Sequence, residues 1–434
     1  MSLQRNKAIY TIAEGQCAII KTRMLNWSQR FSILVFLDSN NYRDPYSRFE
    51  CLGGFGTGHV VTERDGMEGA SAFHEEHKDW LFGHINYDYK NRLERGLKSR
   101  HEAVSGFDDI CFFQPEIVCY ITTDKAELVI ETLTTDPDGV YREIMNTSAE
   151  IDETVPIVSF QQTTLREKYL QNIDSLRSHI KEGDCYEINY CNEYHAEGVT
   201  LQPLNVFSKL NGLSHAPFAA YYRNGSAYLM CASPERYIRK QGYELLSQPI
   251  KGTARRDKDP ETDETIKQSL SNSIKDKAEN VMITDLVRND LARSCVPGSV
   301  KVKELFGIYS FPQVHQMIST VAGRMKEHAL LMDGVRYSFP MGSMTGAPKI
   351  KVMQLVEQYE DKRRELYSGT IGYISPEGNY DFNVVIRSLF YNSATLYLSY
   401  QAGGAITYDS SAEGEWDEMR LKAWAMERIF NADS

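Results

Sequence analysis

Several features that would assign a function at once are missing from this 434-residue sequence. No apolar run approaches the about eighteen residues that a membrane-spanning helix needs. The opening MSLQRNKAIY lacks the apolar segment of a secretory signal. The eight cysteines include no C-x-x-C pair, which argues against a disulfide framework or a zinc site. We therefore expect a cytoplasmic protein with no membrane contact.

Long basic runs are also missing, and the formal net charge is -11. A chain of this charge, without a local basic patch, is a poor partner for nucleic acid. Any anionic small molecule that binds here must therefore meet isolated cations or a metal ion.

The sequence lacks several catalytic motifs as well. It has no G-x-S-x-G elbow and no H-E-x-x-H zinc motif, and the glycine-rich segment at 53–59 fits neither common phosphate-binding pattern. We interpret that segment as a turn. These absences weigh against hydrolase, metalloprotease and nucleotide-binding functions.

Residues 1–160 are rich in strand and turn patterns, including a hairpin centred on Asp124 and Lys125. The box Thr164-Leu-Arg-Glu167 and the apolar spacing after it predict a helix at about 164–182. We therefore divide the chain into a strand-rich region at 1–160, intertwined with the core, and a catalytic region at 161–434.

Apolar spacing predicts two further helices, at 262–292 and 412–431. Between them, the strand-like segments GTIGYIS, FNVVIRSLFY and ATLYLSYQA are separated by turns, which predicts an antiparallel meander. The fold class expected from this order is α+β.

Two acidic pairs lie on the predicted helices: Asp276 with Glu279, and Glu415 with Glu418. Each pair is spaced so that both carboxylates share one helical face. Spacing alone is more typical of solvated helix charge. If the two helices face each other, however, the four carboxylates would suit Mg2+, which prefers oxygen ligands.

The segment GSMTGAPK, residues 342–349, predicts the start of a helix near Pro348. Free N–H groups at a helix N-terminus attract carboxylates and phosphates. An ordinary helix cap is the alternative interpretation.

Six motifs occur in an order that resembles the chorismate-utilising synthases. They are SPERY (233–237), PIKGT (249–253), KAENVMITDLVRNDLAR (277–293), VHQMIST (314–320), GSMTGAPK (342–349) and QAGGAI (401–406). The similarity runs from about residue 164 to the end. It implies two packed antiparallel β-sheets flanked by helices on the outside.

Within that family, the lysine of PIKGT and the segment DPYSRFE (44–50) resemble the aminodeoxychorismate synthase component I branch. The resemblance implies that Lys251 attacks C2 of chorismate with loss of the C4 hydroxyl, and that ammonia then attacks C4. It also implies that Glu235 acts as the general acid and that His315 lies near the ring.

The resemblance further implies a metal and a substrate pocket. Mg2+ would bridge Glu279 and Glu418 to the ring carboxylate, with Asp276 and Glu415 nearby, while Arg387 would meet the enolpyruvyl carboxylate. The other expected pocket residues are Gly252, Thr253, Thr345, Gly346, Lys349, Tyr373, Gly403 and Gly404.

Three residues depart from the family pattern. Glu187 stands where glutamine is usual, and Ala405 and Tyr408 stand where glycine and alanine are more familiar. Isochorismate and salicylate synthases have a water-activating lysine at the position of Glu187, so the glutamate argues against water as the nucleophile. The resemblance also implies that the N-terminal strands could hold a bound tryptophan near Ser39, as in some relatives.

The resemblance implies partners beyond chorismate and ammonia. A separate glutamine amidotransferase subunit would deliver the ammonia, and a separate lyase would convert the product to 4-aminobenzoate for folate biosynthesis. Anthranilate synthase component I is the nearest alternative. An isochorismate or salicylate synthase, or a non-catalytic chorismate-binding subunit, fits the motifs less well.

Overall fold

The computed structural model describes residues 5–431 and consists of strands and helices in alternating groups. The strands are β1 (Asn6–Thr11), β2 (Ile33–Asp38), β3 (Phe49–Phe55), β4 (His59–Val61), β5 (Leu81–Ile85), β6 (Ile110–Gln114), β7 (Ile117–Thr122), β8 (Glu127–Thr132), β9 (Gln161–Gln162), β10 (Glu187–Ala196), β11 (Phe218–Asn224), β12 (Ala227–Ser233), β13 (Arg236–Gln241), β14 (Glu244–Gln248), β15 (Ile250–Arg255), β16 (Lys301–Ser310), β17 (Val314–Arg324), β18 (Gly346–Ala347), β19 (Thr370–Ile374), β20 (Tyr380–Asn383), β21 (Ser388–Asn392) and β22 (Tyr397–Ile406). The helices are α1 (Cys17–Ser28), α2 (Gly66–His77), α3 (Lys90–Leu93), α4 (Pro137–Asn146), α5 (Arg166–Lys181), α6 (Pro203–Ser214), α7 (Pro260–Asn272), α8 (Ile274–Ser294), α9 (Asp333–Ser338), α10 (Lys349–Tyr359) and α11 (Ala412–Glu427).

The strands form two antiparallel sheets, which confirms the α+β class. The larger sheet has the order β1-β8-β7-β3-β2-β11-β12-β21-β22-β10-β18, with β9 also paired to β10. The smaller sheet has the order β15-β17-β14-β13-β20-β19-β5-β6-β4, with β16 also paired to β17. Both orders mix strands from distant parts of the chain, so long-range packing fixes the topology.

Two hydrophobic layers hold the sheets. Along β2, Leu34 and Phe36 belong to a cluster that also contains helix residues such as Met24 and Met419. Ile33 and Val35 belong to the second cluster, with Phe82 and Phe382 of the smaller sheet. Because successive strand residues point to opposite faces, β2 is apolar on both sides. The larger sheet is therefore covered by helices on one face and by the smaller sheet on the other.

Each sheet contains strands from before and after residue 160. Strand β2 pairs with β11 in the larger sheet, and β5 pairs with β19 in the smaller one. The strand-rich region at 1–160 therefore contributes strands to the same two sheets as the region after it. The hairpin at Asp124 and Lys125 is confirmed between β7 and β8.

Two helix predictions need correction at their ends. Helix α5 begins at Arg166, and Thr164 donates its hydroxyl hydrogen bond to Asp361 instead of closing the capping box. The single helix predicted at 262–292 is two helices, because Ser273 leaves the helical conformation and caps α8 by accepting a hydrogen bond from the N–H of Asp276. The helix predicted at 412–431 is α11, followed by a short 3-10 turn.

The predicted three-strand meander is wrong. The segment FNVVIRSLFY is not one strand: its first part belongs to β20 in the smaller sheet and its last part to β21 in the larger one. The chain crosses between sheets at Val384–Arg387, where Arg387 has a positive φ of 51°. The pattern could not show this crossing because both parts are apolar and buried.

The glycine-rich segment at 53–59 is only partly a turn. Gly53 and Gly54 lie inside β3, and the chain turns at Gly56, which has a φ of 70°. Among the helices of residues 5–431, none has the length and apolar character needed to cross a membrane.

Candidate active site

Lys251 lies where the two sheets meet. It is the second residue of β15, an edge strand of the smaller sheet, and its Nζ is 2.5 Å from Oε1 of Glu187, the first residue of β10 in the larger sheet. The two side chains expose only 11% and 3% of their surface. Burial lowers the pKa of Lys251, but Glu187, followed by Glu279 and Glu235, outweighs it and raises the pKa overall. The resting side chain is therefore an ammonium.

Glu235 lies just before β13 and is almost fully buried. Burial raises its pKa to about 7, although a hydrogen bond from Ser343 and the charges of Lys251 and Arg387 act in the opposite direction. A small cavity opens beside it and is lined by Ser338, Ser343 and Asp290. Glu235 can therefore hold a proton near neutral pH and release it to a bound molecule.

Arg387 lies at the crossing between β20 and β21, close enough to Glu235 for their charges to interact. Within the part of the chain that the structure describes, no hydrogen bond or ion pair reaches its guanidinium. Burial lowers its pKa, because nothing offsets the desolvation except Glu235. An unpaired, half-buried guanidinium is a ready partner for a carboxylate, which its planar fork can bind at both oxygens.

The two acidic pairs converge on the same region. Helix α8 carries Asp276 and Glu279, and α11 carries Glu415 and Glu418. Burial raises the pKa of Glu279 and that of Glu415. Lys422 lowers the pKa of Glu418, with which it pairs at 2.8 Å.

Two observations test whether a divalent cation fits these carboxylates. Oε2 of Glu415 is buried without a hydrogen-bond partner among the described residues. The glycine at 404 leaves open the space in front of the α11 pair: a Cβ there would lie 3.0 Å from Oε2 of Glu415 and 3.5 Å from Oε1 of Glu418. These four carboxylates do not form a closed cage. Within residues 5–431, the side chains close enough together for that are those of His179, Glu182 and Asp184. The donor set fits Mg2+, which keeps several waters or substrate oxygens.

The glycines and Thr253 of the predicted pocket lie around these groups. Gly252, with a φ of 92°, packs against Asp276, and Thr253 follows it on β15 opposite Gln316. Gly403 packs against the backbone of β10, and its carbonyl accepts a hydrogen bond from Lys422. At Gly346 a Cβ would lie 2.0 Å from the carbonyl oxygen of Glu187, so only glycine lets β18 pair with β10 there.

Four predicted residues make other contacts. The ring of His315 lies between Asp263 (Nε2, 3.0 Å) and Ser310 (Nδ1, 2.8 Å), so both its nitrogens are occupied. The ammonium of Lys349 pairs with Asp290 at 2.7 Å, and the hydroxyl of Thr345 donates to the carbonyl of Met341. These three residues support the walls of the site.

Tyr373 is the fourth, and the structure does not bring it to the Lys251 region. The centroid of its ring lies 5.7 Å from that of Phe49 and 6.0 Å from that of Trp80, on the wall of a second, more open cavity. Ser39 lines the same cavity and donates a hydrogen bond to Glu50. Binding of tryptophan near Ser39 stays a prediction.

Sequence reasoning missed three polar residues. Ser343 belongs to the motif GSMTGAPK and supports Glu235, so the motif held the signal. Gln316 is buried, its Oε1 has no hydrogen-bond partner within the described residues, and it pairs with Thr253 across β15 and β17. Glu187 was seen only as a departure from glutamine, and its contact with Lys251 depends on the meeting of two sheets.

Comparisons with known proteins show which proteins this chain is similar to. The family model described as chorismate binding enzyme matches residues 40–428. Aminodeoxychorismate synthase component 1 of Salmonella typhimurium is 38% identical over 286 residues, which are 65% of this chain and 62% of that protein. The protein of the same name from Klebsiella aerogenes is 36% identical over 341 residues, 78% of this chain and 73% of that protein.

Solved structures share the fold. Anthranilate synthase component I from Streptococcus pneumoniae superposes with a TM-score of 0.79 at 24% identity, covering 89% of this chain and 94% of that chain. The isochorismate synthase MenF from Escherichia coli superposes with a TM-score of 0.75 at 16% identity. The arrangement of two packed sheets with outer helices is therefore the one that these structures have.

Proposed function

This chain belongs to the chorismate binding enzyme family, and from that premise we propose that it converts chorismate and ammonia to 4-amino-4-deoxychorismate. The observation that carries the proposal is the position of Lys251. Its amine is buried beside Glu187, with Glu235 and Glu279 close enough for their charges to act on it. A buried lysine with a carboxylate beside it that can accept its proton is a candidate nucleophile. The names of the Salmonella and Klebsiella relatives support the same product.

The proposed reaction uses two groups of this chain for covalent and proton transfer chemistry. Nζ of Lys251 forms a bond to C2 of chorismate, and Glu235 gives its proton to the departing C4 hydroxyl. Ammonia then bonds to C4 and the lysine leaves C2. The two displacements run in opposite directions between C2 and C4 with the same geometry of attack and departure. The configuration at C4 is therefore retained.

We propose that the two carboxylates of the substrate are bound by positive charges. Arg387 would hold the enolpyruvyl carboxylate through its free guanidinium. Glu279 and Glu418 would hold Mg2+, with Asp276 and Glu415 beside them, and the ion would supply the positive charge that the ring carboxylate needs. Gly404 would leave room for that carboxylate in front of the α11 pair.

We also propose a separate amidotransferase subunit as the source of ammonia, because the relatives are named as component 1 of their synthase. Purified chain should then use ammonium salts but not glutamine. Turnover with glutamine alone would exclude the need for that subunit. The product would serve 4-aminobenzoate and folate formation after a separate lyase.

The product itself is the most direct test. Purified chain, Mg2+, chorismate and ammonium chloride should yield aminodeoxychorismate by mass spectrometry, without release of pyruvate, and EDTA should suppress the reaction. Anthranilate with an equivalent of pyruvate would identify the alternative, anthranilate synthase component I. Isochorismate in the absence of ammonia would identify water as the nucleophile.

Lys251→Ala tests the covalent step. We expect amination to fall by at least about 100-fold, because the nucleophile is gone, while chorismate still binds through Arg387 and the Mg2+ that the carboxylates would hold. Binding is measured by calorimetry and turnover by product formation. Lys303→Ala, an exposed lysine on β16, is the control and should keep full activity. Undiminished turnover by Lys251→Ala would refute the covalent role.

A further inference from the structure

The contact between Glu187 and Lys251 is fixed from both sides. Glu187 opens β10, a strand held between β22 and β18, and Tyr186 before it donates its N–H to the carbonyl of Ala347 at 2.7 Å. The missing Cβ of Gly346 lets the backbone of β18 approach the carbonyl of Glu187. The carboxylate therefore has a set position, from which it meets the lysine of the opposite sheet at 2.5 Å.

Few other charged groups compete for this pair. On the lysine side, the charges of Glu279 from α8 and Glu235 from the segment before β13 act on Lys251. On the glutamate side, the charge of Glu187 acts on Glu279. Among the charges that lower the pKa of Glu418 in α11, Lys251 has the smallest effect. None of the carboxylates assigned to Mg2+ lies within 4 Å of Nζ in the described residues, so Glu187 is the immediate neighbour of the amine.

This contact raises a chemical requirement. An ammonium has no lone pair, so Lys251 cannot attack carbon until it loses a proton. The nearest acceptor is Oε1 of Glu187, and the pair is almost dry. Moving the proton from Nζ to Oε1 converts a buried ion pair into a neutral amine and a neutral carboxylic acid, so no net charge is created in the site.

We propose that Glu187 is the base that takes the proton from the Lys251 ammonium and returns it at the end of each turnover. The proposal rests on the proposed function, because it supplies the free amine that the covalent step needs. When the bound substrate excludes water from the pair, the neutral form is favoured, since desolvation penalises charged groups more than neutral ones.

The proton and electron balance closes over the cycle. The N–H bond of Lys251 breaks and an O–H bond forms on Glu187. The lone pair of Nζ bonds to C2, the double bonds of the ring move from C1=C2 and C5=C6 to C1=C6 and C4=C5, and the C4–O bond breaks. The oxygen leaves as water with the proton of Glu235.

The second half of the cycle reverses these shifts. Ammonia bonds to C4, the double bonds return, and the C2–Nζ bond breaks with its electrons on Nζ. The neutral lysine then takes back the proton of Glu187. Glu235 regains a proton from the new ammonium at C4. The sum is chorismate plus ammonia giving the amine and water.

Glu187→Gln is the sharpest test, because glutamine keeps the shape and the acceptor oxygen but cannot take a proton. In the variant Lys251 must lose its proton to solvent, so the ratio of variant to wild-type single-turnover rates should rise with pH until the amine is free. We expect the variant to be at least about tenfold slower than wild type at about pH 6 and the difference to shrink towards about pH 9. Deprotonation of Glu235, whose pKa is about 7, slows both proteins alike and cancels in the ratio. Glu187→Asp should restore part of the low-pH rate.

Glu193→Gln is the matched control. Glu193 lies on the same strand, is equally buried and is hydrogen-bonded to Tyr397, away from Lys251. Its variant should keep the wild-type pH profile, and melting temperatures would verify that both variants fold.

A variant that is not slowed at low pH would contradict the proposal. If Glu187 only restrains the lysine as an ammonium, removing its charge frees the amine, and Glu187→Gln will be as fast as wild type or faster at about pH 6. That result overturns the role of Glu187 and leaves the product assignment intact. Failure of the wild-type chain to form aminodeoxychorismate overturns the proposed function, and the role of Glu187 with it.

Discussion

At the scale of single residues, the chemistry of the site comes from burial combined with incomplete pairing. Glu235 is buried without a full counter-charge, so its pKa rises to about 7. Arg387 is half-buried and has no direct partner in the described chain. An ordinary structural ion pair, such as Lys349 with Asp290, satisfies both members. The unsatisfied groups are therefore the ones available to a ligand.

Glu235→Gln tests the cause of that raised pKa through stability. The folded-state pKa lies above the unfolded value, so the stabilisation from the protonated carboxyl is complete below about pH 4.5 and is lost as pH rises through about 7. Glutamine has no such loss. We expect wild type to lose up to about 3 kcal/mol relative to Glu235→Gln across this range, measured by urea unfolding at several pH values. A constant difference at all pH values would contradict the raised pKa.

At the scale of elements, the break between α7 and α8 sets where the helical face that carries Asp276 and Glu279 begins. Ser273 has an extended backbone and its Oγ accepts a hydrogen bond of 3.2 Å from the N–H of Asp276. A new helix starts there, and Asp276 and Glu279 stand in its first two turns. The apolar spacing of 262–292 is continuous, so it hid a cap that one serine provides.

Ser273→Ala should therefore destabilise the protein by about 1 kcal/mol, because the N–H of Asp276 loses its acceptor. The measurement is the free energy of unfolding in urea. Ser271→Ala, the same change two residues earlier inside α7, is the control and should be neutral or slightly stabilising. Equal effects of the two substitutions would show that Ser273 is not a functional cap.

At the scale of the whole molecule, the two sheets unite the two halves of the sequence. Separation at residue 160 would remove β2 from β11 and β5 from β19. Both new edges are apolar, and the core between the sheets contains residues from both halves. Long unpaired apolar edges favour aggregation over a stable fold.

We expect the fragment 161–434, produced alone, to be aggregated or to lack a cooperative thermal transition by circular dichroism. Co-expression with fragment 1–160 should recover a soluble complex, because the same strand pairs can form between two chains. A monomeric 161–434 that unfolds cooperatively would contradict this expectation and would establish the second region as an independent domain.

The sequence by itself determined what depends on local spacing and on ordered motifs. It placed the acidic pairs on helical faces and predicted the fold class, and its ordered motifs predicted the family and, through that resemblance, named Lys251 and Glu235 as candidate residues. Side-chain direction within one helix follows from its period, so the placement of the acidic pairs needed no distant contact.

Only the tertiary structure decided which distant residues meet. Glu187 and Lys251 are 64 positions apart and come from different sheets, and Tyr373 faces a cavity other than the one beside Glu235. The crossing at Val384–Arg387 joins two sheets within one apolar segment. Periodicity cannot distinguish such cases, because buried strands of either sheet carry the same apolar pattern. Pairing between strands that are distant in sequence decides which sheet each of them joins.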